Sequence, residues 1–238
     1  MSMRITLLVF LLLGMGVAVQ AQQVEYTIGV ATGLFKEKPE TMPESPHSIA
    51  PDNANYLTFP HGDENGPGLQ LSLKAQKVTR SSVLWGAAVS YQWLESKQDL
   101  GQVISSEGPQ EAKGWAHFRK HYLAAWPFAG YRYSWSQWHW DVTAGPALAV
   151  AVAPDRVKVS ASVPSTDRRI VMDEKTKEDG YSPVVLRLHL QTELGYARWG
   201  GQLGYMWGFF NGHRATMGGK SIQTTTRCVH LGLFYRLK

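Results

Sequence analysis

Two carboxylates and three histidines occupy positions where they could perform acid-base chemistry. Asp141 and Glu193 lie on separate stretches in which apolar and polar residues alternate, and such stretches pair so that their side chains meet. Paired carboxylates can separate their pKa values, so that one donates a proton while the other accepts it. His121, His189 and His230 share the alternation and could act as bases or as metal ligands.

Other features of the sequence argue against that chemistry. A single Cys among 238 residues excludes an internal disulfide framework and a cysteine zinc cluster. The His-x-Ser pattern expected of a lipid deacylase does not occur. The sequence therefore predicts no enzymatic activity, no cofactor and no metal site, with a hydrolase acting on lipid as the weaker alternative.

The elements that would position these residues are strands. From Val24 onward the dominant pattern has a period of two, which is the signature of a strand with one apolar and one polar face. Most of the segments are long enough to cross a bilayer as tilted strands, which takes about 9 to 11 residues. The eight segments are residues 24–35, 67–77, 82–95, 115–133, 138–153, 182–197, 202–210 and 222–237. Pro127 and Pro146 fall inside two of them and predict a bulge or a kink.

The connections between segments alternate between short and long. Tight turns occupy residues 78–81, 134–137 and 198–201, whereas the long connections are residues 36–66, 96–114, 154–181 and 211–221. This alternation is typical of outer-membrane barrels. The sequence predicts an all-β fold: an eight-stranded antiparallel transmembrane β-barrel with short periplasmic turns and long extracellular loops, located in the outer membrane.

A soluble, lipocalin-like barrel is the alternative all-β fold, with its apolar face turned inward around a ligand. Two further features favour the lipid-facing version. Gly and Ala cluster on the polar face, and aromatic residues collect near strand ends, as an interfacial girdle requires. These aromatic residues are Trp135, Trp138, Trp140, Tyr196 and Trp199.

The N-terminus has the pattern of an export signal. Residues 1–4 carry one positive charge, residues 5–17 are apolar, and small residues stand at Val19 and Ala21. The apolar run is too short for a membrane anchor. We expect a signal peptide at residues 1–21 and a barrel domain at residues 22–238.

Charged and polar residues on the polar face would fill the lumen, because an eight-stranded barrel has an interior just wide enough for side chains. Glu25 is expected beside Lys74 and Arg236, since the first strand pairs with the second and the eighth. His121 is assigned to the same face. The predicted lumen network comprises Glu25, Lys74, Arg119, Asp141, Arg187, His189, Glu193, His230 and Arg236.

A basic rim is expected at the periplasmic side. The formal net charge is +5, and the cations that map to strand ends and tight turns are Lys77, Arg80, Arg132 and Arg198. Such residues reach toward the headgroups of outer-membrane lipid, or they form a docking surface for an acidic periplasmic or outer-membrane protein partner. Nucleic acid is not an expected partner for an exported barrel, despite a sequence pI near 9.3.

Short motifs in the second half resemble the PorT-like family of outer-membrane β-barrel proteins. Tyr122-Leu123 precedes Trp126-Pro127, residues 130–133 read Gly-Tyr-Arg-Tyr, and residues 144–148 read Ala-Gly-Pro-Ala-Leu. The segments 193–196, 201–208 and 231–237 resemble the last three strands of that family. The resemblance covers residues 120–238 and implies an outer-membrane barrel that is an accessory to protein export.

The predicted function is interaction, either as an accessory to protein export and secretion or as a surface binding module. A small diffusion porin is the alternative. Residues 157–163 and 168–172 have the pattern of a hairpin that projects beyond the membrane. The proline-rich first connection, residues 36–66, is expected to be extended and poorly ordered.

Overall fold

The computed structural model describes residues 24–39, 47–49, 56–59, 64–105, 108–153, 155–164, 168–176, 184–213 and 222–237. These residues form twelve strands. They are β1 (Val24–Pro39), β2 (His47–Ile49), β3 (Tyr56–Phe59), β4 (Glu64–Val78), β5 (Val83–Ser105), β6 (Gly108–Trp135), β7 (Trp138–Ala151), β8 (Asp155–Val163), β9 (Arg168–Thr176), β10 (Val184–Tyr196), β11 (Trp199–His213) and β12 (Ile222–Arg236). None of the described segments is a helix long and apolar enough to cross a membrane.

Eight of the strands close into a barrel. The order around the ring is β1, β4, β5, β6, β7, β10, β11 and β12, and β12 pairs again with β1. Every pairing is antiparallel, and each strand of the ring pairs with the ring strands that precede and follow it in the chain. The prediction of an eight-stranded antiparallel barrel is confirmed.

Three tight turns lie at one end of this barrel. Each contains a residue in the left-handed region: φ is 65° at Ser82, 55° at Ser136 and 50° at Ala197. Positive φ values let a short hairpin turn follow the right-handed twist of its two strands. The short connections therefore mark the periplasmic end, and the long ones leave the extracellular end.

The barrel wall is apolar outside and polar inside. In β7 every second residue from His139 to Ala149 is buried, and the residues between them are exposed. Large apolar side chains on β12 point outward, with Leu231 64% and Leu233 63% exposed. A soluble barrel would place its apolar face inward, so this arrangement excludes the lipocalin alternative and requires lipid around the wall.

Aromatic rings form a girdle at the tight-turn end. Trp135 and Trp138 stack with ring centroids 6.5 Å apart, and Trp138 contacts Tyr196 at 5.0 Å. Trp199 packs against Tyr235 at 4.7 Å. Rings with a polar edge prefer the interface between lipid and water, so the girdle marks the periplasmic boundary of the hydrocarbon.

The two strand prolines interrupt pairing without shifting it. Between β6 and β7 the ladder stops after Ala125 and Leu148 and resumes at Ala129 and Ala144 in the same register. A proline cannot donate a hydrogen bond to its neighbour strand, which accounts for the gap. The predicted bulge is wrong at this pairing, and the alternation of faces continues through Pro127.

Two barrel strands continue well beyond the membrane. β5 has 23 residues and β6 has 28, whereas a crossing takes about 9 to 11, so the part of β6 beyond the crossing extends roughly 60 Å along the strand. The predicted loop at residues 96–114 is therefore largely strand. The predicted hairpin in the third connection is confirmed as β8 and β9, which pair with each other while β8 also pairs with β6. The short strand β3 pairs with the extension of β5, and β2 pairs with β3.

Candidate functional site

A buried charge cluster occupies the periplasmic end of the lumen. The Arg132 guanidinium donates from Nε and Nη2 to the two oxygens of Asp141, both at 2.7 Å. It also donates from Nη1 and Nη2 to Glu25, at 2.7 and 2.9 Å. Arg236 Nε lies 3.4 Å from Glu25 Oε2, and Gln76 donates to the same carboxylate at 2.9 Å. Two arginines thus share two carboxylates in a site largely closed to water.

Arg132 is therefore not part of the basic rim, which corrects the sequence-based assignment. Its side chain is 8% exposed, and its strand position pairs directly with Asp141 across β6 and β7. The residue lies three positions from the turn, close enough to the strand end to suggest a surface site. Its parity on β6 matches that of the inward-facing Trp126 and Phe128, and this places it inside.

A second ion pair crosses the lumen. Lys74 on β4 bonds Glu193 on β10, and both side chains are buried. Gln191 donates to Glu193 Oε1 at 2.7 Å and to Gln202 Oε1 at 3.0 Å. The expected neighbourhood of Glu25 and Lys74 is wrong, because Lys74 pairs with Thr27 in the strand register and reaches across the lumen instead.

The two carboxylates proposed for acid-base chemistry are engaged with different cations. Asp141 and Glu193 lie directly opposite each other on β7 and β10. Asp141 is bonded to Arg132, and Glu193 is bonded to Lys74. Each is held as an ion-pair partner, so the pair is not arranged to share a proton between its own oxygens.

Two histidines stack against each other in the lumen. The rings of His189 and His230 are 5.4 Å apart and nearly parallel, and Trp126 packs on His189 at 4.6 Å. Gly204 makes this possible, since a Cβ there would lie 2.1 Å from the His230 ring. Within the described segments, no group of three or more His, Cys, Asp and Glu side chains could hold a metal ion.

Arg187 lies nearer the extracellular mouth and is 2% exposed. Its Nη1 donates to Gln92 Oε1 at 2.8 Å, and its guanidinium carbon lies 4.6 Å from the centre of the Tyr122 ring. Together with the Arg132 cluster and the Lys74–Glu193 pair, which lie nearer the periplasmic end, this side chain extends the polar filling of the lumen.

Sequence reasoning missed the glutamines that connect these groups. Five buried glutamines among the described residues join the lumen clusters or neighbour them: Gln70, Gln76, Gln92, Gln191 and Gln202. On β4 and β10 the glutamines have the same parity as Lys74 and Glu193, and that parity was the signal that could have identified them.

Arg119 and His121 lie on the outer face of β6, which corrects their assignment to the lumen. They have the parity of the exposed Leu123, and the register keeps that parity through Pro127. Arg119 Nε donates to Glu95 at 2.8 Å. His121 Nδ1 and the Tyr91 hydroxyl are hydrogen-bonded at 2.6 Å.

The Glu95 carboxylate belongs to a charge cluster on the extracellular extension that the sequence did not reveal. His117 and Arg119 both bond it. Burial raises the pKa of Glu95, but the hydrogen bonds from those two side chains outweigh burial and hold the pKa below its usual value. The cluster therefore keeps a charged, ordered carboxylate outside the hydrocarbon.

The other rim residues lie near the tight turns. Arg80 and Arg198 are exposed, and Lys77 is half-buried with its ammonium 5.5 Å from the centre of the Trp85 ring. Arg198 Nη1 reaches the Tyr235 hydroxyl at 3.5 Å. Without Arg132, the rim consists of these three cations.

A closed eight-stranded ring with an apolar wall, an aromatic girdle and a polar, filled interior defines an outer-membrane β-barrel protein. The outer membrane is its location. No protein-family model matches the chain, and no curated protein matches it.

Several solved structures are similar to it. Neisserial surface protein A is 11% identical, covers 90% of this chain and 99% of its own, and has a TM-score of 0.41. The attachment invasion locus protein Ail of Yersinia pestis, in complex with the heparin analogue sucrose octasulfate, is 10% identical over 90% of this chain and 99% of its own, with a TM-score of 0.39. The outer membrane protease OmpT from Escherichia coli is 10% identical over 92% and 99%, with a TM-score of 0.35.

Two sequence-based interpretations change in this light. The prediction of no enzymatic activity is wrong as an exclusion, because an outer-membrane protease is among the similar structures. The resemblance to the PorT-like family is not supported by any family model. The broader class, an outer-membrane β-barrel protein, stands.

Proposed function

We propose that this protein is a surface binding module, whose barrel anchors a recognition sheet outside the cell. This sheet consists of the extensions of β5 and β6 together with β8 and β9. The extension of β5 and β6 carries the proposal, because these strands continue far past the length that a membrane crossing needs. Residues 1–21 serve as the export signal, and residues 22–238 form the barrel domain with its extension. Rigid scaffolds that present extended segments are a common basis of recognition.

The outer face of this sheet has the composition of a protein-binding surface. Arg156 donates to Asp173 from Nε and Nη2 at 2.6 and 2.8 Å, and Lys158 lies 3.6 Å from the same carboxylate. These hydrogen bonds hold the pKa of Asp173 below its usual value. Trp115 is 39% exposed and packs edge-on against His117 at 4.4 Å. An exposed aromatic ring among ordered charges is a favourable anchor for a partner protein.

Removing the hairpin tests this proposal. Replacement of residues 155–176 by a short Gly-Ser turn should abolish capture of a cross-linked partner on intact cells. The barrel should remain folded and heat-modifiable on a gel, because β8 and β9 lie outside the ring. The matched control neutralises Lys77, Arg80 and Arg198 together, which alters the opposite end of the molecule. Unchanged capture after hairpin removal would contradict the proposal.

An accessory role in protein export is the second candidate. Its support is the basic rim of Lys77, Arg80 and Arg198 at the periplasmic end, together with the PorT-like motifs in the sequence. A rim of this kind attracts an acidic periplasmic partner through salt-dependent association. In the same experiment, this candidate requires the reverse outcome, in which the neutralised rim loses the partner and the hairpin variant keeps it.

The filled lumen gives a prediction that separates both candidates from a diffusion porin. In planar bilayers the protein should show no sustained open conductance, because the side chains of Arg187, Trp126 and the Lys74–Glu193 pair occupy the cross-section. A steady channel that passes hydrated ions would instead favour the porin. Denatured and refolded protein should be measured in parallel with protein extracted from membranes, so that misfolded leaks are recognised.

A further inference from the structure

The charges buried in the lumen do not balance. Lys74 is neutralised by Glu193, and the cations Arg132 and Arg236 share the carboxylates of Glu25 and Asp141. Lys120, which is also buried, has interactions of its own. Arg187 is left with no carboxylate within ion-pair distance among the described residues, although it is 2% exposed. A buried charge without a partner of opposite sign is strongly unfavourable.

The free groups of Arg187 form a fork that faces one direction. Nη1 is used by Gln92, while Nε and Nη2 are both buried without a hydrogen-bond partner among the described residues. These two groups lie on the same edge of the guanidinium plane, where one acceptor can take both hydrogen bonds. Arg132 uses that same edge for the carboxylate of Asp141. Arg187 therefore has the donor arrangement of a paired arginine without its anion.

A third donor lies at the same level of the barrel. Arg187 pairs with Gly208, and Gly208 pairs with Thr226 on the next strand. The Thr226 hydroxyl leans over the glycine, since a Cβ on Gly208 would lie 2.2 Å from Oγ1. This hydroxyl is buried and also has no partner among the described residues. On the other side Arg187 is flanked by Ala147, so both neighbouring strands present small residues.

We propose that Arg187 and Thr226 bind one small monovalent anion, chloride, in the barrel lumen. One negative charge equals the surplus left by Arg187, and a spherical ion can accept from Nε, Nη2 and the hydroxyl at once. A water molecule could fill the same hydrogen bonds but would leave the charge unbalanced. The site goes beyond the proposed surface binding and does not depend on it.

Chloride-dependent stability tests the site. The thermal unfolding midpoint of the full protein in detergent is measured while chloride replaces gluconate at constant ionic strength. The wild-type midpoint should rise with chloride and then saturate, because an ion that binds only the folded state stabilises it by mass action. Arg187→Gln should abolish this dependence. Thr226→Val should raise the half-saturating chloride concentration about tenfold, as expected for loss of one hydrogen bond to an ion.

Arg198→Gln is the matched control, because it removes an exposed arginine and should leave the chloride dependence unchanged. Equal chloride dependence in Arg187→Gln and the wild type would overturn the proposal. If Arg187→Gln does not fold, crystals of the wild type grown in bromide decide the matter. An anomalous bromide peak within hydrogen-bond distance of Arg187 Nε supports the site, and its absence at full bromide exchange refutes it.

Discussion

Leu231→Arg should lower the free energy of unfolding of the barrel by about 2 to 4 kcal/mol in a lipid bilayer. Leu231 is 64% exposed on the outer face of β12. It lies four residues from Tyr235 in the periplasmic girdle and four from the exposed, outward-facing Arg227, which is roughly 14 Å along the strand in each direction. This position is near the middle of the hydrocarbon, where a guanidinium is least tolerated. Denaturant titration of protein refolded into vesicles measures the change.

The same substitution at Leu237 is the control for depth. Leu237 is 46% exposed and follows the girdle residue Tyr235, outside the hydrocarbon. Leu237→Arg should therefore cost about 0 to 1 kcal/mol. If the outer face of β12 met water, arginine would be tolerated at both Leu231 and Leu237. Equal and small effects of the two substitutions would mean that the outer face of β12 does not meet lipid.

Arg132→Met should destabilise the barrel by about 3 to 5 kcal/mol. The substitution removes the guanidinium that donates to both Asp141 and Glu25, and among the described residues it leaves these carboxylates with the more distant Arg236 as their remaining cation. The cost arises from burying carboxylates without adequate partners, and not from lost volume, since methionine retains much of the side-chain bulk. Urea titration of the refolded protein, followed by tryptophan fluorescence, reports the loss.

Two further variants show whether the buried charges cause this effect. Arg198→Met alters an exposed arginine near a tight turn, where changes usually stay within about 0.5 kcal/mol. In the second variant, Asp141→Asn is added to Arg132→Met, which should recover part of the lost stability because one buried charge disappears. If Arg132→Met were as mild as Arg198→Met, the arginine would have to lie at the surface, as the sequence-based rim assignment had it.

Alternation, connection length and aromatic placement could be read from the sequence, because each is a local property of the chain. A period of two places Asp141, Arg187 and Glu193 on one face of their strands, whatever those strands pair with. Short and long connections then order the eight strands into a ring. The strand identities and the outer-membrane class follow from these local signals.

Only the tertiary structure decided which charges meet. Lys74 and Glu193 lie on strands β4 and β10, and Arg132 and Glu25 lie on β6 and β1, so neither pair comes from neighbouring strands. Contacts across a lumen depend on how the closed ring is tilted and staggered, which is a property of the whole barrel. The sequence-based prediction paired Glu25 with Lys74 because it assumed that ion-pair partners lie on adjacent strands.

The extracellular extension could not be predicted from the sequence pattern either, but for a different reason. Residues 96–114 mix charged and small residues without a clear apolar face, so they have the composition of a loop. The described residues of this segment become strand because the extensions of β5 and β6 pair with each other, and β3 and β8 pair along their other edges, which satisfies their backbone hydrogen bonds. Local sequence thus determined the strands that lipid surrounds, whereas pairing between distant segments determined the sheet that stands outside the membrane.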